Sequence, residues 1–114
     1  MAIRRVFIYW THPLFYDSVR MLLNHPEIEW VGSSSDYGAG WSQIMSVPPD
    51  TILVEEVEGS IPDEVLHLVE ASHWNGRVVG LNIHDNQMRM YQHIQRTVGK
   101  AEDLLQWILD DQSF

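Results

Sequence analysis

Cysteine is absent from the 114 residues. Disulfides, thiolate metal sites and a cysteine nucleophile are therefore excluded, although this absence does not fix a compartment. Cations are scarce: 7 Lys+Arg stand against 16 Asp+Glu, a formal charge of −9. Nucleic-acid phosphates call for clustered Lys and Arg, so no nucleic-acid partner is expected. Long apolar runs are also missing. None approaches the roughly 20 residues that span a bilayer, so no membrane association is expected. The N-terminal run from Val6 to Trp10 is shorter than the roughly 7–15-residue core of a signal peptide, and no small-residue cleavage site follows it. A cytoplasmic location is the expectation. GxGxxG, Walker, GxSxG and HExxH motifs are lacking, and Gly38-Ala39-Gly40 is too short for a phosphate loop. What is present is a 45% hydrophobic share. With this length it suits one packed domain over residues 1–114, without repeats or a linker.

Short apolar runs alternate with amphipathic stretches. Val6 to Trp10 reads as a buried strand. Thr11 or His12 can cap a helix that begins at Pro13, with Leu14, Ser18, Val19, Leu22 and Leu23 on one face. Asn24-His25-Pro26 stops that helix. Ile28 to Gly32 is a second strand, and Ser33 to Asp36 a polar loop. Tyr37 to Val47 carries weak helical signals: Trp41, Ile44 and Met45 share a face, but Gly38 and Gly40 each cost about 1 kcal/mol in a helix interior. Thr51 to Val54 is a third strand, followed by the acidic loop Glu55-Glu56-Val57-Glu58-Gly59. Ser60 and Asp63 resemble a capping box before a face of Val65, Leu66 and Val69. Arg77 to Leu81, after the Asn75-Gly76 turn, is a fourth strand.

Met88 to Val98 then reads as an extended segment. Only Asp85-Asn86-Gln87 separates it from strand four, and a parallel crossover needs roughly a dozen residues. We expect a β-hairpin, with strand five antiparallel to strand four at the sheet edge. Ala101 to Asp111 places Leu104, Leu105, Ile108 and Leu109 on one face of a last helix. The alternation implies an α/β three-layer sandwich with a mainly parallel five-stranded sheet.

Val6-Phe7-Ile8 followed by His12-Pro13-Leu14, then Leu22-Leu23, Pro26-Glu27-Ile28-Glu29-Trp30-Val31-Gly32, Pro49-Asp50-Thr51-Ile52-Leu53-Val54 and Glu102-Asp103-Leu104-Leu105, in that order and spacing, resemble a receiver domain of the bacterial response-regulator type. The likeness is to receivers that precede helix-turn-helix output domains. It implies a flavodoxin-like fold and a Mg²⁺-dependent phosphoacceptor site in two-component signal transduction. The family's metal-holding acidic pair corresponds here to Trp10 and Thr11, its acceptor Asp to Glu55 and its hydroxyl to Asn82. Its lysine falls near Arg96 or Thr97, and the fourth helix is missing. Mg²⁺ wants oxygen ligands, usually one or two carboxylates, and Trp10 supplies none. Without the ion nothing neutralises an incoming phosphoryl group. The extra methylene of Glu55 also moves its carboxylate by about 1 Å. The resemblance thus implies a degenerate pseudo-receiver: no enzyme, no cofactor and no resident metal. Glu55 is either an ordinary strand-end residue or a permanent mimic of a phosphorylated Asp. Trp10 is expected to fill the space of the lost metal site.

Six histidines (His12, His25, His67, His73, His84 and His93) show no i,i+4 pair, and none is taken as a metal ligand. Ser33, Ser34 and Ser35 lie at the ligand-prone edge of an open α/β sheet, and the acidic loop where receivers present their switch region. The five tryptophans Trp10, Trp30, Trp41, Trp74 and Trp107 read mainly as packing residues. The edge segment, with Met88, Arg89, Met90, Tyr91, Ile94 and Arg96, is the candidate interface, and edge pairing would make a homodimer. The sequence ends at Phe114, so an unknown protein partner is expected to supply the output. Two functional classes follow: a non-catalytic regulatory domain acting by protein–protein interaction, or a small-molecule-binding module at the sheet's carboxyl edge. An apolar, Trp10-filled pocket would favour the first; an open, polar one would favour the second.

Overall fold

Four short runs rich in β-branched residues form the centre of the fold in a computed structural model that describes residues 3–82, 87–92, 95–100 and 104–109. β1 (Arg4–Tyr9), β2 (Ile28–Ser34), β3 (Thr51–Glu55) and β4 (Arg77–Asn82) pair in parallel, in the order β2-β1-β3-β4. The helices are α1 (Pro13–Leu22), α2 (Tyr37–Ser46), α3 (Asp63–Glu70) and α4 (Leu104–Leu109).

Strand alternation sorts the core into two layers. Val6, Ile8, Leu53, Val79 and Leu81 face α1 and α4, meeting Phe15, Val19, Leu104 and Ile108. Phe7, Tyr9, Ile52, Val54 and Val78 face the opposite side, meeting Ile44 of α2 and Val65 of α3. Residues 6–9 of β1 are therefore buried on both faces, which is why that run shows no polar alternation. Two arginines hold the end of α4: Arg4 donates to the carbonyls of Ile108 and Leu109, at 3.2 and 3.1 Å, and Arg77 reaches the Ile108 carbonyl at 3.5 Å.

Several sequence expectations need correction. Among the described residues the sheet has six strands, not five. The segment expected as one strand divides into β5 (Gln87–Gln92), antiparallel to β4, and β6 (Gln95–Lys100), antiparallel to β5. The physical reason is pairing: the second half of the segment hydrogen-bonds back to the first, from Gln87 with Lys100 to Gln92 with Gln95. Met88, Arg89, Met90 and Tyr91 consequently sit on an inner strand, and β2 and β6 are the edges. Arg96 and Thr97 lie on β6. Ile94 falls outside the described residues.

Helix α1 buries Phe15, Val19 and Leu23, while Leu14 is 73% exposed and Leu22 40%. Both sets fit helical spacing, but the Phe15 set carries the larger ring into the core. Ser60 caps nothing; it bridges Val57 across a turn in which Glu58 and Gly59 have φ of 53° and 82°, and Pro62 precedes α3. In α2, Asp36 is the cap, accepting from the Ala39 amide at 2.8 Å.

Candidate functional site

β1 and β3 end side by side at the carboxyl edge of the sheet, and the chain order reverses between them. This is where open α/β sheets form crevices. β1 leads through Trp10 and Thr11 to His12, the N-cap of α1, whose own side chain makes no capping bond. Pro13 follows, with no N–H to satisfy. The loop ahead of the helix is instead held from another strand. Glu55, the last residue of β3, accepts from the Thr11 amide at 2.7 Å and the His12 amide at 3.0 Å through Oε1. Its Oε2 accepts from His12 Nδ1 at 2.5 Å, and Thr11 Oγ1 lies 3.0 Å from the same nitrogen. An ionised carboxylate can only accept, which places a proton on Nδ1.

The Glu55 side chain is 13% exposed and that of His12 76%. Burial pushes the Glu55 carboxyl upward, but the Thr11 amide, the His12 imidazole, the His12 amide and the Thr11 hydroxyl together hold it below its ordinary 4.5. The group is thus a fixed anion, clasped to the β1–α1 loop by Thr11 and His12.

Around it the expected site residues separate. The Trp10 indole packs on Tyr16, ring centroids 6.0 Å apart, and lies partly buried against the α1 side of the core. It does not line the space beside Glu55, contrary to expectation. That space is an open cleft of about 220 Å³, walled by Leu14, Phe15 and Leu81, with His12, Ser18, Glu55 and Asn82 adding polar groups. Glu56 joins the rim, but its carboxylate turns to the other face, where a Cβ on Gly80 would lie 3.0 Å from Oε2. Neither anticipated form of the pocket is met: it is open yet mainly apolar.

Asn82 is at the carboxyl edge, as the resemblance implied. Thr97 is not. It pairs with Met90 in mid-strand, whereas Lys100 shares a register row with Gln87, the partner of Asn82. The only signal for Lys100 was the length of the second hairpin, which returns the chain to this edge. Ser34 closes a local turn with Asp36, and the Ser33 carbonyl accepts from Gln43, so these serines serve their own loop. The donor set beside Glu55 (an indole facing away, a hydroxyl against His12, a carboxylate with both oxygens engaged) does not fit octahedral Mg²⁺. Among the described residues no cluster of three or more His, Asp or Glu could hold a metal. None of the helices described is long and apolar enough to cross a membrane.

With this geometry in view, the chain is similar to the signal receiver domain of NarL from Mycobacterium tuberculosis, described as a response regulator. The TM-score is 0.60 at 26% identity, over 70% of this chain and 66% of that one. The fold is receiver-like. The chain spans just under two thirds of that domain's length. No protein-family model matches the chain, and comparison with curated proteins finds no match.

Proposed function

We propose that the chain is a degenerate receiver: a non-catalytic regulatory domain that works by protein–protein contact and is not phosphorylated by the Asp/Mg²⁺ route. One observation carries this reading. The carboxylate at the position the resemblance gives the acceptor is already bound to the β1–α1 loop by two amides and an imidazole, where phosphotransfer needs an oxygen free to attack in line beside a metal. In this reading the clasp does mechanically what an ion would otherwise do, joining the end of β3 to the β1–α1 loop. The charge of Glu55 is then a permanent setting of that loop.

The test is incubation with Mg²⁺ and a small acyl-phosphate donor, followed by intact-mass measurement. We expect no adduct; a stable phosphoryl group on Glu55 refutes the proposal. Glu55→Gln separates a permanent setting from a plain strand-end residue. Altered partner binding or oligomeric state supports the first, and unchanged behaviour supports the second.

The unknown protein partner and the homodimer are parts of the same proposal. β6, with Arg96, now supplies the outer edge for two-fold pairing. The cleft beside Glu55 favours a second reading, a small-molecule-binding module at the carboxyl edge. Here the ligand would be the input and the surface of the domain the output.

A further inference from the structure

We infer that His12 is a phosphoryl-acceptor site: its Nε2 takes a phosphoryl group, without a metal, from a small phosphoramidate, a donor with a nitrogen–phosphorus bond. The inference goes beyond the reading above and rests on it only in that Glu55 stays an unmodified carboxylate.

The tautomer comes first. A neutral imidazole has one N–H and one lone pair, and its hydrogen bonds decide which nitrogen holds which. Nδ1 of His12 donates to Glu55 Oε2 at 2.5 Å, so the lone pair of the neutral ring is on Nε2. The carboxylate cannot turn away. Its other oxygen accepts from the amides of Thr11 and His12 at 2.7 and 3.0 Å. A carboxylate held in this way fixes both tautomer and ring orientation. Access comes next. The side chain of His12 is 76% exposed while that of Glu55 is 13% exposed. Nδ1 faces the carboxylate, so the ring edge left to solvent carries Nε2. His25 has the opposite arrangement. Its Nδ1 accepts from the Glu27 amide at 3.0 Å, so the proton of its neutral ring is on Nε2, which then offers no lone pair.

The step balances without a base. The Nε2 lone pair attacks phosphorus and forms the new nitrogen–phosphorus bond. The donor's own nitrogen–phosphorus bond breaks, and its nitrogen, already protonated, takes the bonding pair and leaves as ammonia. No proton has to leave the ring. The ring becomes a phosphoimidazolium, and its positive charge develops against the Glu55 carboxylate. A carboxylate on the far nitrogen stabilises an imidazolium as it forms. Histidine is among the side chains that form such covalent adducts. The modified ring then meets Glu55 as an ion pair, which is stronger than a hydrogen bond from a neutral donor. Modification is the input in this scheme, and a tighter clasp between β3 and the β1–α1 loop is the change a partner reads.

The test is incubation of the full chain with potassium phosphoramidate and EDTA at about pH 8, where an ordinary imidazole of pKa roughly 6.5 is mostly neutral. Peptide mapping by mass spectrometry reads the six histidines separately. His12 should be modified about tenfold faster than any of the other five, at Nε2, and Glu55→Gln should slow it by about tenfold. Long-range ¹H–¹⁵N spectra should place the His12 proton on Nδ1, and Glu55→Gln should shift that signature towards mixed tautomers. His12→Ala should lose this adduct while circular dichroism stays native. Equal rates at all six histidines, an adduct on Nδ1 of His12, or no adduct on His12 overturns the inference. So does an undiminished rate in a folded Glu55→Gln. Selectivity among the histidines is read on the unaltered chain and needs no variant. Alkali keeps the parent reading separate. An acyl phosphate on Glu55 is lost in it and sinks that reading, whereas a phosphohistidine survives, and its absence sinks only the acceptor site.

Discussion

At Glu55, side-chain length determines what the sheet edge does. Its carboxylate spans from the end of β3 to the residues just ahead of α1 and accepts from the amides of Thr11 and His12. Removing it in Glu55→Ala should cost about 1–3 kcal/mol, the range for donors left without their acceptor, read as a lower urea midpoint. His12→Ala should cost less than about 1 kcal/mol, because that imidazole is largely in solvent. The pH dependence has a definite sign. The folded pKa of Glu55 lies below 4.5, so its stabilising contribution is fully present above that pH. It is lost as pH falls through the lowered folded value, and Glu55→Gln should flatten this part of an acid denaturation curve. Tyr9 has the opposite sign. Burial, then Asp36, Glu64 and Tyr37, raise its phenol well above the ordinary 10, and the hydroxyl donates to the Tyr37 carbonyl at 2.8 Å. Its contribution is present below pH 10 and lost as pH climbs through the raised value. Tyr9→Phe should cost about 0.5–1.5 kcal/mol at neutral pH by thermal melting and blunt the alkaline loss. The residue type at position 55 was legible from the chain. Its partners were not, because a bond between residues 43 or 44 positions apart leaves no trace in local periodicity.

At the scale of elements, the parallel core was legible because each of its strands is a short β-branched run bounded by turn residues. Helix faces were less so. Leu14, Leu22 and the Phe15 set all satisfy a 3.6-residue period, and only packing against the sheet decides between them. The glycines of α2 illustrate a second limit. Gly40 reads as a helix weakener in sequence. In the fold a Cβ there would meet the Tyr9 ring at 2.4 Å and the Ser34 side chain at 3.0 Å. The glycine is what lets α2 approach β1 and β2. Gly40→Ala, although it favours helix locally, should destabilise by about 1–3 kcal/mol through overpacking. Gly38→Ala is the control. Its added methyl finds only Asp36 within reach, at 3.6 Å, and should be neutral or stabilising by thermal melting. The last correction came from the hairpin. One extended run of eleven residues is indistinguishable from two paired strands until the pairing of β5 with β6 is known. That pairing moved β5 inward and brought the backbone of Lys100 to the carboxyl edge.

For the whole molecule, the formal charge of −9 sets the terms of self-association. Two copies meeting at their β6 edges would gain backbone hydrogen bonds along the last strand of the described sheet. They would also bring together two strongly acidic bodies, each with a radius of gyration of only 12.7 Å. At about 0.01 M salt the screening length is roughly 30 Å, longer than that radius, so each copy feels nearly the whole charge of the other. At about 1 M it shrinks to roughly 3 Å, and only local contacts count. A dimer held by edge hydrogen bonds must therefore tighten as salt rises, whereas one held by charge pairs, such as Arg96 with an acidic patch, must weaken. Sedimentation equilibrium across this range distinguishes them. We expect monomer at low salt and an increasing dimer fraction at high salt, abolished by a proline in β6 that removes an edge N–H. A monomer at every salt concentration would leave the proposed function to contacts with a different protein and rule out the homodimer.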